Sequence, residues 1–164
     1  MGFCMRFFFM FLLVTAITTG VPAVFAGTID FSKSITIGSG SKSVIEFTDP
    51  DCPFCRKASK YFDSRSDVTR HVFFTPLNRH PKAKEKARYI LSQTNSAAAY
   101  HEVMSGRMDA VQKFEGITAR GIRLQEEQVE IAHQQKVDST PTFLINGRII
   151  VGFDQKKIEE ALGK

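Results

Sequence analysis

Phe47-Thr48-Asp49-Pro50-Asp51-Cys52-Pro53-Phe54-Cys55-Arg56-Lys57 is the stretch that decides how this chain is read. It begins as strand and ends as helix, and its two cysteines, separated by Pro53-Phe54, fall at the junction. Just upstream, Ser43 to Thr48 is built of β-branched and aromatic residues and is too apolar for a sheet edge, which predicts a central strand. Asp49-Pro50-Asp51 ends that strand. Pro53 suits the first helical turn, where its missing N–H has no partner to lose. Phe54, Ala58, Tyr61 and Phe62 then recur at helical spacing and predict one apolar face.

A Cys-x-x-Cys pair admits three readings. It can be half of a zinc site, but zinc takes about four ligands, and His71, His80, His101 and His133 form no matching close pair. It can be an inert local disulfide, although a loop this short adds little to stability. Or it is a redox pair, which the strand-to-helix junction favours. Cys52 falls where unpaired N–H groups and the helix dipole favour negative charge, which lowers a thiol pKa. Cys55 lies one turn in, on the side of Ala58 and Phe62, and is expected to be the more buried. Cys52 then attacks a disulfide and Cys55 resolves the mixed disulfide, the two closing a Cys52–Cys55 disulfide. The side chains of Asp49 and Asp51 oppose a Cys52 thiolate if they approach it.

Working outward, Thr28 to Ile37 shows partial alternation and reads as a short strand or hairpin, with Gly38-Ser39-Gly40-Ser41 as a turn. Thr69 to Phe74 predicts a strand closed by Pro76. From Pro81 the chain turns helical, with Ala83, Ala87, Ile90 and Leu91 as one stripe, and Ala97 to Met104 makes a second helix. Residues 107–124 read as broken helix around Gly116 and Gly121, and Glu126 to Gln135 as helix again. Thr142 to Ile145 and Arg148 to Val151 form a hairpin across Asn146-Gly147, a strong two-residue turn. Asp154 caps a last helix that points Ile158, Ala161 and Leu162 inward. A central sheet covered by helices follows.

The first 26 residues read differently. Arg6 precedes an apolar run from Phe7 to Val14, Gly20 and Pro22 break it, and Val24-Phe25-Ala26 offers a cleavage site: the pattern of a secretory signal. The apolar core is shorter than the ~20 residues a membrane span needs. Cys4 precedes the run and is expected to leave with it. Loss of Arg6 takes Lys+Arg from 22 to 21 against 17 Asp+Glu. In an exported protein that mild excess reads as a solvated basic surface rather than a nucleic-acid site.

The active segment 47–57 resembles that of the periplasmic disulfide isomerases of the DsbC/DsbG type. Val103-Met104-Ser105-Gly106-Arg107 resembles part of their helical insertion. Ser139-Thr140-Pro141-Thr142 resembles the loop in which that family places a cis-proline, and Asn146-Gly147-Arg148 through Gly152-Phe153 the hairpin beyond it. The resemblance covers nearly all of residues 28–164 in order. It implies an α/β thioredoxin-like fold: a central mixed sheet flanked by helices, with a helical insertion at about 81–135 before the cis-proline loop. The domain expected is 27–164, after a signal peptide at 1–26.

The resemblance also implies a site. Cys52 and Cys55 are the redox pair. Thr140 and Pro141, with Pro53 and Phe54, make the substrate-binding surface, the Thr140 backbone pairing with an extended substrate strand. Related enzymes often hold an acid at the position of Glu46. Buried, it would have a raised pKa and accept a proton from Cys55 through water; the plain alternative is a strand-edge glutamate reaching solvent. No cofactor and no metal are expected. The partners expected are exported proteins with cysteines or disulfides and a membrane-bound electron donor, in the periplasm. The family's isomerases carry an N-terminal dimerisation domain. Only about 15 residues lie between the cleavage site and the catalytic strand here, too few for an independent core, so a monomer is expected. A thiol oxidase and a non-catalytic thioredoxin-fold binding module or chaperone stand as alternatives.

Overall fold

The computed structural model describes residues 28–163; the leader expected over residues 1–26, with Cys4, lies outside them. The strands are β1 (Ile35–Ile37), β2 (Lys42–Thr48), β3 (Val68–Phe74), β4 (Thr142–Ile145) and β5 (Arg148–Val151). The helices are α1 (Pro53–Asp63), α2 (Ala83–Ser92), α3 (Ser96–Met104), α4 (Ala119–Gln134) and α5 (Gln155–Ala161). The sheet order is β1-β3-β2-β4-β5. β2 runs parallel to β3 and antiparallel to β4, while β1 and β5 close the edges antiparallel to their neighbours. This is the α/β mixed sheet expected, with α2 to α4 as the helical insertion. Parallel β2 and β3 require a crossover, and α1 supplies it.

β2 is central because its residues are buried on both faces. Ile45 and Phe47 join Phe73 under Ala132 and Val137 on one side. On the other, Val44 packs with Ala58 and Phe62 of α1, with Phe143 and Ile145 of β4, and with Ile158 of α5. A neighbouring cluster joins Cys52 and Cys55 to Val72, Phe74, Ile90, Leu91, Tyr100 and Val103. By strand alternation, Glu46 and Thr48 share the Val44 face of β2 and look toward α1.

Three expectations need correction. Phe54 does not belong to the apolar face of α1: it is 56 % exposed, and the buried positions are Cys55, Ala58, Ser59 and Phe62. The helical stripe starts one residue later because Cys55, not Phe54, begins the face turned to the sheet. Thr28 to Ile37 is neither one strand nor a hairpin but a 3-10 turn, Phe31–Lys33, followed by β1. And Gly121 does not break a helix. Thr118 caps α4, its side chain accepting from the Gly121 amide. A Cβ on Gly121 would stand 2.7 Å from the Arg88 carbonyl oxygen, so glycine is what lets α2 and α4 approach. The hairpin turn is as expected: Asn146 (φ 48°) and Gly147 (φ 76°) are both left-handed, as a two-residue turn of this type requires.

Candidate active site

The N-terminus of α1 is built around Cys52. Cys52 is the N-cap with extended backbone (φ −74°, ψ 121°), and Pro53 opens the helix behind it. The Cys52 amide donates to the Asp49 carbonyl at 3.1 Å, closing the turn that brings the strand end into the helix. The thiol of Cys52 lies 3.4 Å from the Thr140 carbonyl oxygen. The chain thus brings Cys52 and the Thr140-Pro141 loop together across 88 residues of sequence. The Thr140–Pro141 peptide bond is cis. Pro53 and Phe54 stand beside the pair, with Phe54 projecting to solvent and the Lys57 ammonium 5.3 Å from its ring centroid.

The two thiols are free and sit in opposite surroundings. A hydrogen bond from the Cys55 thiol, helped by the Cys55 and Phe54 amides at the helix start and by Thr140, draws the Cys52 pKa down to about 5 against the opposing effect of burial. Burial pushes Cys55 up, and the neighbouring Cys52 adds to the rise. Cys55 is fully buried, and its sulfur accepts from the Asp49 amide at 3.4 Å. The helix-start amides act here as unpaired donors do at any helix N-terminus, favouring the anion.

Asp49 and Asp51 do not oppose this thiolate freely, because each is compensated. Buried Asp49 accepts from the Asp51 amide at 2.8 Å and the Leu77 amide at 2.7 Å, and faces His80 Nδ1 at 2.9 Å. Asp51 is bound by Arg56 at 3.2 Å and by Lys86 at 2.5 Å. The same two cations hold Asp109, Arg56 at 2.6 Å and Lys86 at 2.6 Å. Arg56 also donates from Nε to the Pro50 carbonyl at 2.8 Å. This neutral four-charge cluster ties the active-site turn to α2 and to the loop before α4. Sequence reasoning missed it, though Lys86 gave a signal: it falls inside the stripe Ala83, Ala87, Ile90, and its side chain is only 3 % exposed.

Behind Cys55 lies a second polar group, and this one is buried. Glu46 is 0 % exposed, which excludes a strand-edge glutamate reaching solvent. Its Oε2 accepts from Arg70 at 3.1 Å. Arg70 also donates to the Tyr100 hydroxyl at 2.9 Å and to Asp63 at 3.1 Å, between the rings of Phe62 and Tyr100. Burial raises the Glu46 pKa, and Arg70 opposes the rise. Arg70 and Tyr100 were missed; a lone arginine in the apolar run of β3 was their only trace. Among the described residues no group of three or more His, Cys, Asp or Glu stands together to hold a metal.

A fold of this topology with its two cysteines so divided defines a thioredoxin-like disulfide oxidoreductase with Cys52–Cys55 as its pair. The chain belongs to the thioredoxin-like domain family, which it matches over residues 32–164. Among solved structures it is similar to a disulfide interchange protein from Neisseria gonorrhoeae, at 29 % identity and a TM-score of 0.68, covering 82 % of this chain and 96 % of that one. It shares its fold with a periplasmic thioredoxin-like protein from Salmonella enterica serovar Typhimurium, at 16 % identity and a TM-score of 0.61, covering 79 % and 88 %. Among curated proteins it is 30 % identical over 120 residues to the global transcriptional regulator Spx of Lactiplantibacillus plantarum, covering 73 % of this chain and 86 % of that one.

Proposed function

We propose that this protein is an exported thiol–disulfide oxidoreductase that exchanges disulfides in periplasmic proteins as an isomerase or reductase, in the manner of the DsbC/DsbG type. The observation that carries the reading is the split between the two thiols, Cys52 drawn down to about 5 and Cys55 pushed up by burial. At neutral pH Cys52 is the thiolate that attacks a substrate disulfide. One substrate sulfur joins Cys52 and the other leaves as a thiolate. Cys55 stays protonated, so it closes the Cys52–Cys55 disulfide only after giving up a proton, for which Glu46 is the acceptor. Until then a substrate thiolate can return and displace Cys52, which is the reshuffling step.

The substrate is an extended segment. The Thr140 backbone, beside Cys52, pairs with it as an added strand would, and Pro53, Phe54 and Pro141 contact its side chains. The partners are exported proteins with cysteines or disulfides and a membrane-bound donor that keeps the pair reduced. The leader pattern of residues 1–26 and the periplasmic setting of the Salmonella relative support the location. The protein acts as a monomer, with weak reshuffling because a single groove lacks the avidity of two.

The depressed Cys52 pKa also favours a second reading. Stabilising the thiolate stabilises the reduced form and makes the disulfide a stronger oxidant, as a thiol oxidase needs. The reduction potential against glutathione, taken with the redox state in vivo and refolding of a scrambled multi-disulfide protein, tests both. A reduced monomer that reduces readily and reshuffles weakly supports the first reading. A fully oxidised protein that oxidises reduced substrates replaces it with the second. Cysteines that never cycle would point to a binding module.

A further inference from the structure

Two buried polar atoms on the same face of β2 have no hydrogen-bond partner among the described residues: Glu46 Oε1 and Thr48 Oγ1. Buried polar atoms are satisfied in the great majority of cases, so a pair of exceptions side by side calls for a reason. Their surroundings are otherwise closed. Thr48 is 0 % exposed, as is Glu46. Glu46 Oε2 is held by Arg70, which leaves Oε1 as the oxygen free to accept. The next residue after Thr48 donates its amide to the Cys55 sulfur, which brings that thiol against the end of β2. Thr48 thus stands on the Glu46 face of β2, at the strand end that the Cys55 thiol meets, and its hydroxyl favours ionisation of both. A hydroxyl can donate and accept at once, and among the described residues this one is committed to no other partner.

We propose that Thr48 relays the proton that Cys55 must lose, accepting it from the thiol while passing its own hydroxyl proton to Glu46 Oε1. The proposal rests on the reading of Glu46 as acceptor and names the path to it. The step balances. The Cys55 proton moves to Thr48 Oγ1 and the Thr48 proton moves to Glu46, which becomes a neutral acid. The Cys55 thiolate attacks Cys52 Sγ in the mixed disulfide; the Cys52–Cys55 bond forms, the bond to substrate breaks, and the electron pair leaves on the substrate thiolate. The substrate disulfide is reduced and the protein pair oxidised. Arg70 from β3 holds Glu46 Oε2, and Tyr100 from α3 and Asp63 from α1 in turn bind Arg70. Arg70 is a positioning residue here: by binding Oε2 it leaves Oε1 as the oxygen free to accept.

Thr48→Val keeps the shape and removes only the hydroxyl. Losing a buried, unpartnered hydroxyl leaves no partner unsatisfied, so the variant is expected to be as stable as the parent or more so. Its release of substrate from a Cys52 mixed disulfide is expected to slow by about tenfold or more, while the first attack by Cys52 on a small disulfide stays unchanged. With Cys52 capped by a small thiol, the Cys55 titration followed by thiolate absorbance is expected to move to higher pH in Thr48→Val and to return in Thr48→Ser. Release at the parental rate with an unmoved Cys55 titration would overturn the relay. Glu46→Gln separates the two levels: slowed release there with normal release in Thr48→Val keeps the acceptor and removes the relay. Normal release in both removes the acceptor as well. If Thr48→Val failed to fold, Thr48→Ser against Thr48→Ala in the same titration gives the same decision.

Discussion

Cys52 and Cys55 stand one helical turn apart, and the polar groups around them are handled in opposite ways. Around Cys52 the acids are answered. Asp51 and Asp109 share Arg56 and Lys86, and Asp49 accepts two amides and faces His80. Around Cys55 the accounting is left open: Glu46 Oε1 and Thr48 Oγ1 are buried without partners among the described residues. The closed side holds a thiolate in place, where any movement of charge would weaken attack. In the proposed mechanism the open side takes up a proton once per turnover, and an oxygen with no donor on it is free to receive one. Rigidity and incompleteness thus divide the two half-reactions between the two sides of one turn.

The largest effects lie at the sulfurs. Cys52→Ser is expected to abolish exchange altogether. Cys55→Ser is expected to retain the first attack and accumulate mixed disulfides, visible on non-reducing gels and lost on adding reductant. Equal trapping by both variants would erase the distinction between the two sides.

The closed side is probed next by Lys86→Met. It leaves Asp51 and Asp109 sharing Arg56 alone, at a site where the lost ammonium was buried. The expected cost is about 2 kcal/mol in denaturant unfolding. The Cys52 pKa is expected to rise, because Asp51 beside it loses a counter-charge. A stable variant with an unmoved Cys52 would show the cluster to be ornamental to the thiolate.

A further effect is a pH dependence of stability that belongs to the reduced form. The folded Cys52 pKa of about 5 lies below the unfolded thiol value of ~8.5. The stability it adds is therefore fully present above the unfolded value and is lost as pH falls through the folded one. Cys55, pushed up by burial, is protonated in both folded and unfolded states below ~8.5 and adds nothing in this window. Melting the reduced and oxidised forms side by side from pH 8.5 to 5 should show the reduced form losing ground throughout. A constant gap would contradict the depressed Cys52.

How much of this was legible in the sequence depends on whether a feature is periodic and local. β2, α2 and the β4–β5 hairpin were legible because alternation, helical stripes and the Asn146-Gly147 turn act over a few residues. The cysteine pair was legible through its spacing, and its loop at Thr140-Pro141 through the family resemblance. The buried face of α1 was misread by one residue, since Phe54 is apolar but is turned outward by the geometry that buries Cys55. The charge clusters were not legible. Arg70 meets Glu46 across 24 residues, Lys86 meets Asp51 across 35 and Asp109 across 23. No local pattern encodes such pairs; only the sheet order and the packing of the insertion bring them together. Gly121 was misread for the same reason, its demand coming from α2 rather than from its own helix.

The smallest expected effect concerns substrate. Phe54 is exposed beside Cys52 and touches little of the core. Phe54→Ala should leave stability within about 0.5 kcal/mol. It should raise KM for apolar peptide disulfides roughly fivefold, on the order of 1 kcal/mol, with kcat for a small disulfide unchanged. Unaltered peptide kinetics would remove Phe54 from the contact surface.

The central claim is that one thiol of the pair is a ready thiolate and the other is not. Alkylation of the reduced native protein across pH 3 to 9, with each cysteine followed separately by mass spectrometry, tests it most directly. The account predicts that Cys52 alkylates with a midpoint near 5 and that Cys55 stays unmodified until the protein unfolds. Two cysteines alkylating together, with a midpoint near the free-thiol value of ~8.5, would contradict it.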